Sequence, residues 1–302
     1  MYLTGFADEA ASDIDGQIRA TKELGWSNIE CRGVNGKNLH DISDADFDAV
    51  CAKLAAAGVR VNCFGSAIGN WAKNIEQPFD VTLAEANRAI PRMQRLGSKL
   101  IRIMSYPILK DRSPDDQLAD ERYKRLRTLQ KMFSDAGLQL VHENCSNFGA
   151  MSWKHSLRML ENVPGLKLVF DTGNPVDSED YSFDAPRPKQ SSWTFYSNVR
   201  AHIAYVHIKD GRLDAQGRIE WTFPGEGSGD VKRIVKDLLD SGYDGGFSME
   251  PHMKVVAHDP SVNAEAEARI ANYIEYGRRF MRLVEDIGYR AKLGNVAQTA
   301  TR

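Results

Sequence analysis

The 302-residue sequence is poor in cysteine, with four, and none is spaced as CxxC. Cys31, Cys63 and Cys145 fall in expected strands or at a strand end, and Cys51 in an expected helix. Buried free thiols are therefore favoured over disulfides or a thiolate zinc site. No apolar run approaches the ~18 residues of a membrane helix. The opening "MYLTGFADEA" lacks the basic-then-apolar order of a secretion signal. A cytoplasmic setting with no membrane partner is the expectation that follows. Nor does either basic residue form a stripe: 39 Lys and Arg face 41 Asp and Glu, for a formal net charge of -2. That disfavours nucleic acid as a partner. Also missing is a glycine-rich fingerprint after the first apolar run, where "GFADEA" stands instead. This counts against a dinucleotide-binding doubly wound sheet.

What is present is a repeat. Short β-type runs at 2–7, 28–34, 60–66, 99–106, 139–144, 166–172, 203–209 and 246–251 alternate with helical periodicities. The helical segments lie near 13–25, 44–57, 79–97, 118–136, 152–162, 191–201, 230–241 and 263–286. Ser43 offers an N-cap with Asp46 three residues on. Glycines 25, 58, 97 and 137 each close a helix just before a strand. Eight such units predict a single-domain α/β fold, a (β/α)8 TIM barrel over 1–286, with a C-terminal tail at 287–302.

Alternation along the strands then sorts side chains. In "AYVHIK", Val206 and Ile208 suit the helix layer, which turns His207 and Lys209 into the barrel. By the same rule Glu143, Asp171 and Glu250 point inward at the ends of their own strands. Four successive strands thus each deliver one metal-capable group to the mouth where barrel active sites lie. Three carboxylates and an imidazole converging there would repel one another without a cation. An oxygen-rich set with one nitrogen suits Mn²⁺ first, with Mg²⁺, Co²⁺, Zn²⁺ or Fe²⁺ also compatible. Glu30 and Arg32 share a face of the second strand, as a structural ion pair or a polyol-binding wall, and Arg102 faces inward from the fourth. His142 alternates toward the helices and reads as structural. Asp210 orients a neighbour or caps a loop, and is not assigned to the metal. Asp230 reads as an N-cap.

At these residues the chain resembles the xylose isomerase-like TIM-barrel superfamily, the sugar phosphate isomerase/epimerase and endonuclease IV group. The resemblance spans 1–286 and rests on "HEN" (142–144), "FDTGN" (170–174), "VHIKD" (206–210), "PGEGSGD" (224–230) and "SMEPH" (248–252). It implies that Glu143, Asp171, His207 and Glu250 bind one divalent ion. It also implies that Glu143 and Glu250 act as acid and base on opposite substrate faces, through an enediolate. Lys209 is the candidate for steadying the developing oxyanion, and His252 and Asn174 for substrate hydroxyls. One departure is Asn174, where related epimerases and nucleases commonly carry His; an amide is a poor zinc ligand.

The expected activity is a metal-dependent isomerase or epimerase on a keto-sugar or related polyol. A lyase or dehydratase on a keto-inositol or 3-keto-glycoside needs the same metal and bases. An endonuclease IV-like phosphodiesterase and a non-catalytic sugar-binding barrel rank below. The acidic residues in "PGEGSGD" favour a neutral sugar over a sugar phosphate. The stretch 177–196 and "WTFPGEG" could form a lid or a subunit contact, which leaves a homo-oligomer open; Trp193, Phe195 and Tyr196 read more simply as helix core.

Overall fold

Each of the eight apolar runs forms a strand: β1 (Tyr2–Gly5), β2 (Asn28–Cys31), β3 (Arg60–Gly65), β4 (Leu100–Ile103), β5 (Gln139–Glu143), β6 (Lys167–Asp171), β7 (Ile203–Ile208) and β8 (Gly246–Met249). In this computed structural model, which describes residues 1–256 and 259–291, they run parallel in the order β1-β8-β7-β6-β5-β4-β3-β2. An isolated parallel bridge from Phe6 to Glu30 links the two ends of that order into a nearly closed barrel. Between the strands lie α1 (Ile14–Glu23), α2 (Asp44–Ala57), α3 (Asp80–Leu96), α4 (Ala119–Asp135), α5 (Trp153–Asn162), α6 (Ser192–Val199), α7 (Val231–Asp240) and α8 (Ala266–Asp286). The expected tail lies outside the described residues from 292 onward. No described helix is long and apolar enough to cross a membrane.

Local chemistry sets the helix ends. The Ser43 hydroxyl accepts the Asp46 N–H at 3.1 Å and opens α2. That helix closes on Gly58, whose φ of 64° is a left-handed conformation that costs glycine little. Asp230 corrects an expectation. It precedes α7, but at φ 52° its side chain makes no capping bond, because an N-cap needs extended backbone to reach back. In α7 itself Val231, Ile234, Val235, Leu238 and Leu239 are buried, the i, i+3, i+4, i+7, i+8 stripe that faces a sheet. Burial of each such side chain contributes about 1.5–3 kcal/mol.

The alternation rule holds across the sheet. Leu168, Phe170, Val206, Ile208, Phe247 and Met249 pack outward with the helices. Cys63, Val141, Val169 and Tyr205 form a separate apolar layer inside the barrel. The polar cluster stands on that floor, one inward step further along the strands. Phe195 and Tyr196 of α6 are buried against Phe170, with ring centroids 5.8 and 5.7 Å away, so this aromatic stretch is core. His142 faces the helix side as expected, its Nε2 3.0 Å from Ser105 Oγ and 2.9 Å from Asn147 Oδ1. Burial lowers its pKa to about 4. The four cysteines are free, and Cys31, Cys63 and Cys145 are buried.

Candidate active site

Strands β5 to β8 bring four ligand-type side chains to one place. Glu143, Asp171, His207 and Glu250 are all buried, and each offers an atom within 4.8 Å of the others. They do not all come from one register row. His207 is paired with Asp171 and with Ser248, whereas Glu143 lies opposite Val169 and Glu250 follows the last residue of β8. Strand tilt around a barrel offsets neighbouring rows, so side chains from different rows converge.

Each of the four is held by named partners. Arg102 Nη1 donates to Glu143 Oε2 at 2.7 Å, and Asn174 Nδ2 donates to Oε1 at 3.2 Å. The main-chain N–H groups of Gly173 and Asn174 donate to Asp171 Oδ1 at 2.8 and 2.6 Å. Glu250 receives Arg32 Nη1 on Oε1 and Lys209 Nζ on Oε2, both at 3.0 Å. His207 Nε2 lies 3.2 and 3.1 Å from the two Glu30 oxygens. A carboxylate there fixes a proton on Nε2, so that Nδ1 is the ring atom facing the cluster and offers its lone pair once its own proton is lost.

Two buried atoms of this set have no hydrogen-bond partner: Asp171 Oδ2 and His207 Nδ1. Asp171 Oδ2 has the Lys209 ammonium at 3.2 Å as an ion pair, and His207 Nδ1 has Glu143 Oε1 at 3.5 Å. Buried polar atoms are normally satisfied. Two orphans that belong to one oxygen-rich, single-nitrogen set fit a divalent cation.

The ionisation states follow from the neighbours. Burial pushes Glu143 up, but Arg102 and His207 outweigh it and hold the carboxyl well below its usual range. Glu250 is likewise held low, with Lys209, His252 and Arg32 overcoming burial. Asp171 goes the other way: burial exceeds the pull of Lys209 and raises it to about 6. Burial would lower His207, yet Glu30 and Glu143 raise it to about 10. Lys209 is raised too, as Asp171 and Glu250 outweigh its burial.

Above the cluster is a cavity of about 300 Å³ lined by Arg32, Arg102, Asn174, His252 and Trp221 as well as Glu143, Glu250 and Lys209. Four of the five expected substrate-contacting residues therefore reach it. Glu30 does not. It is fully buried beneath His207, and the expected Glu30–Arg32 pair is replaced by Arg32 pairing with Asp8, Glu9 and Glu250 at 2.9, 3.4 and 3.0 Å. The cause is height: β2 ends at Cys31, so Glu30 stays inside the barrel while Arg32 stands at the mouth.

Sequence reasoning missed several supporting groups. Glu9 accepts both the main-chain N–H of His252 at 2.9 Å and, on its other oxygen, the ring Nδ1 at 3.0 Å. His252 sits at φ 55°, and Glu9 orients its ring. Phe6 lies under both arginines, with the Arg32 and Arg102 guanidinium carbons 4.4 and 5.2 Å from its centroid. The adjacent acids of "GFADEA", at the C-terminal end of β1, were the available signal. Asp210, read from sequence as orienting a neighbour or capping a loop, does cap one: it accepts the main-chain N–H groups of Gly211, Gly225, Gly227 and Gly229 at 2.9, 2.8, 3.0 and 2.8 Å. A Cβ on Gly227 would come within 2.3 Å of that carboxylate, so glycine is required there. The glycine-rich loop thus spends these donors on Asp210 rather than on a phosphate.

A family model described as the xylose isomerase-like TIM barrel matches residues 18–284. The chain belongs to this family. Among its relatives, an inosose dehydratase of Clostridium botulinum (strain Alaska E43 / Type E3) is 21% identical over 316 residues, covering 86% of this chain and 94% of its own. Two solved structures share the fold. A xylose isomerase-like TIM barrel protein from Mycobacterium smegmatis, in complex with magnesium, superposes with a TM-score of 0.65 at 18% identity over 91% of this chain and 97% of its own. A 3-keto-D-glucoside 4-epimerase from E. coli, in its apo form, does so with a TM-score of 0.61 at 17% identity over 92% of this chain and 100% of its own. Epimerases and dehydratases both occur among these xylose isomerase-like relatives.

Proposed function

We propose that this xylose isomerase-like barrel is a divalent-metal-dependent sugar isomerase or epimerase that moves a proton at a carbon next to the carbonyl of a keto-sugar or related polyol. The observation that carries the reading is the pair Glu143 and Glu250. They approach one buried cluster from different strands, and each is gripped by its own arginine and kept ionised. Glu143, Asp171, His207 and Glu250 would hold one divalent ion, with Mn²⁺ our first choice, and when bound it would polarise the carbonyl and acidify the adjacent C–H.

The chain's own groups do the rest. One glutamate takes the proton and the other returns it from the opposite face. The Lys209 ammonium, 3.0 Å from Glu250, stabilises the negative charge that develops on the substrate oxygen. Asn174 and His252 line the same cavity and hydrogen-bond hydroxyls, the His252 ring being oriented by Glu9. Because the amides of the glycine-rich loop are engaged by Asp210, a neutral sugar suits the site better than a sugar phosphate.

A second reading, a dehydratase or lyase on a keto-inositol or 3-keto-glycoside, is favoured by one observation: the inosose dehydratase that aligns over 86% of the chain. It shares the first proton abstraction and differs in what leaves the neighbouring carbon. A mass-spectrometric screen of keto-sugars, inososes and 3-keto-glycosides, with EDTA-treated protein as control, separates them. Metal-dependent conversion without change of mass supports the isomerase or epimerase; loss of water or of an aglycone supports the lyase.

A further inference from the structure

Beside the cavity over the carboxylates lies a second one of about 340 Å³, against about 300 Å³ for the first. The two share Arg32, Trp71 and Arg102 as a common wall. Each alone is near the floor of the ~300–1,000 Å³ range of small-molecule sites. The second is built from the loops after β1, β2 and β3, and its floor holds no member of the four-residue ligand set. Its lining carries the hydroxyls and amides of Ser12, Asn38, Ser66 and Asn70 among glycines, with Asp8, Lys37 and Arg269 as charged members beside the two shared arginines. Asn38 Oδ1 is buried there without a hydrogen-bond partner. Trp71, on the shared wall, is 44% exposed, a large apolar ring presented at a polar mouth. Indole faces suit the C–H face of a sugar ring, because each is apolar in the middle and polar at its edge.

We propose that this cavity is a second subsite and that the substrate is a glycoside: a keto-sugar ring over Glu143 and Glu250, joined to a second sugar or polyol residue that lies across Trp71 into the pocket of Ser12, Asn38 and Asn70. The inference rests on the enolising reading of the first cavity and narrows its substrate class. A ring linked through its anomeric carbon has no free carbonyl there, so the reacting carbonyl is at another ring carbon, where neighbouring C–H groups remain for the two glutamates.

The test compares a keto-monosaccharide with the same ring bearing a β-linked second glucose, on the full chain loaded with Mn²⁺. Exchange of the α-proton for solvent deuterium is followed by mass spectrometry, since that step is common to epimerase and lyase outcomes. The expected result is a kcat/KM at least about tenfold higher for the glycoside, the scale of discrimination one well-filled pocket gives. In Ser12→Trp and in Asn38→Ala that ratio falls toward one. Equal kcat/KM for the two substrates, or a preference untouched by both variants, would overturn the second subsite while leaving the enolising site standing. Absence of exchange with either substrate would overturn the enolising reading and the subsite with it.

Discussion

The two halves of the barrel mouth differ in charge. From β5 to β8 the strand ends supply Glu143, Asp171, His207 and Glu250, an anionic arc with one imidazole. From β2 and β4 come Arg32 and Arg102, which cross the mouth to grip Glu250 and Glu143. The first half carries the groups suited to chemistry; the second adds an arginine to each glutamate and, with Lys209, His207 and His252, keeps both ionised. Neither half is stable alone, because removing one member of a buried ion pair leaves the other uncompensated at a cost of about 3–5 kcal/mol. Asp171 shows what happens without such a grip. It has no arginine partner among the described ion pairs, and burial raises it to about 6 while both glutamates stay low.

The largest effect is expected in the anionic half. Glu143→Gln and Glu250→Gln should each cut solvent-proton exchange at the substrate by about 10²–10⁴-fold, while a circular-dichroism spectrum stays that of the folded barrel. A smaller loss should come from beneath it. Glu30→Gln leaves all four ligand-type groups in place but weakens the acceptor that orients His207, and divalent-ion affinity measured by calorimetry should drop about 10–100-fold.

Acidity sharpens the contrast further. Asp171, at about 6, must lose its proton to bind an ion, and so must His207, at about 10. Ion affinity should therefore fall as pH is lowered, by about tenfold per unit between about pH 10 and 6 and more steeply below pH 6, with protons released on binding at neutral pH. The smallest effect lies on the helix-facing side of β5. His142 has a folded pKa lowered to about 4, below the value of about 6.5 for a free imidazole. The unfolded chain binds that proton more readily, so its contribution to stability is lost as pH falls from 6.5 toward 4. About 1 kcal/mol of it should go between pH 6.5 and 5.5, and denaturant titrations of His142→Gln should show a shallower slope.

The half with the ligand arc was the legible half. Period-two alternation in "VFD", "YVHIK" and "FSME" shows which residues enter the barrel, and the repeat of strand, helix and glycine shows that a barrel is being built. What stayed hidden depends on crossing the barrel. That Arg32 pairs with Glu250 rather than Glu30 requires knowing that β2 ends at Cys31 and that the two residues stand at different heights. Glu9 reaches His252 across 243 positions of sequence, and no local pattern reports that. Asp210 was legible only as an orienting or loop-capping residue, because its partners are the main-chain N–H groups of Gly211, Gly225, Gly227 and Gly229, which carry no side-chain signature. His142 was legible for the same reason as the arc, since alternation alone turns it away from the mouth.

One buried cation in the anionic half is central to the proposed chemistry, and the most direct measurement is the divalent-metal content per chain, read together with α-proton exchange. The expected result is one ion per chain in the wild type, and loss of both ion and exchange in Asp171→Asn and in His207→Ala. Exchange that persists in EDTA-treated protein, or an ion retained at full occupancy in both variants, would contradict it.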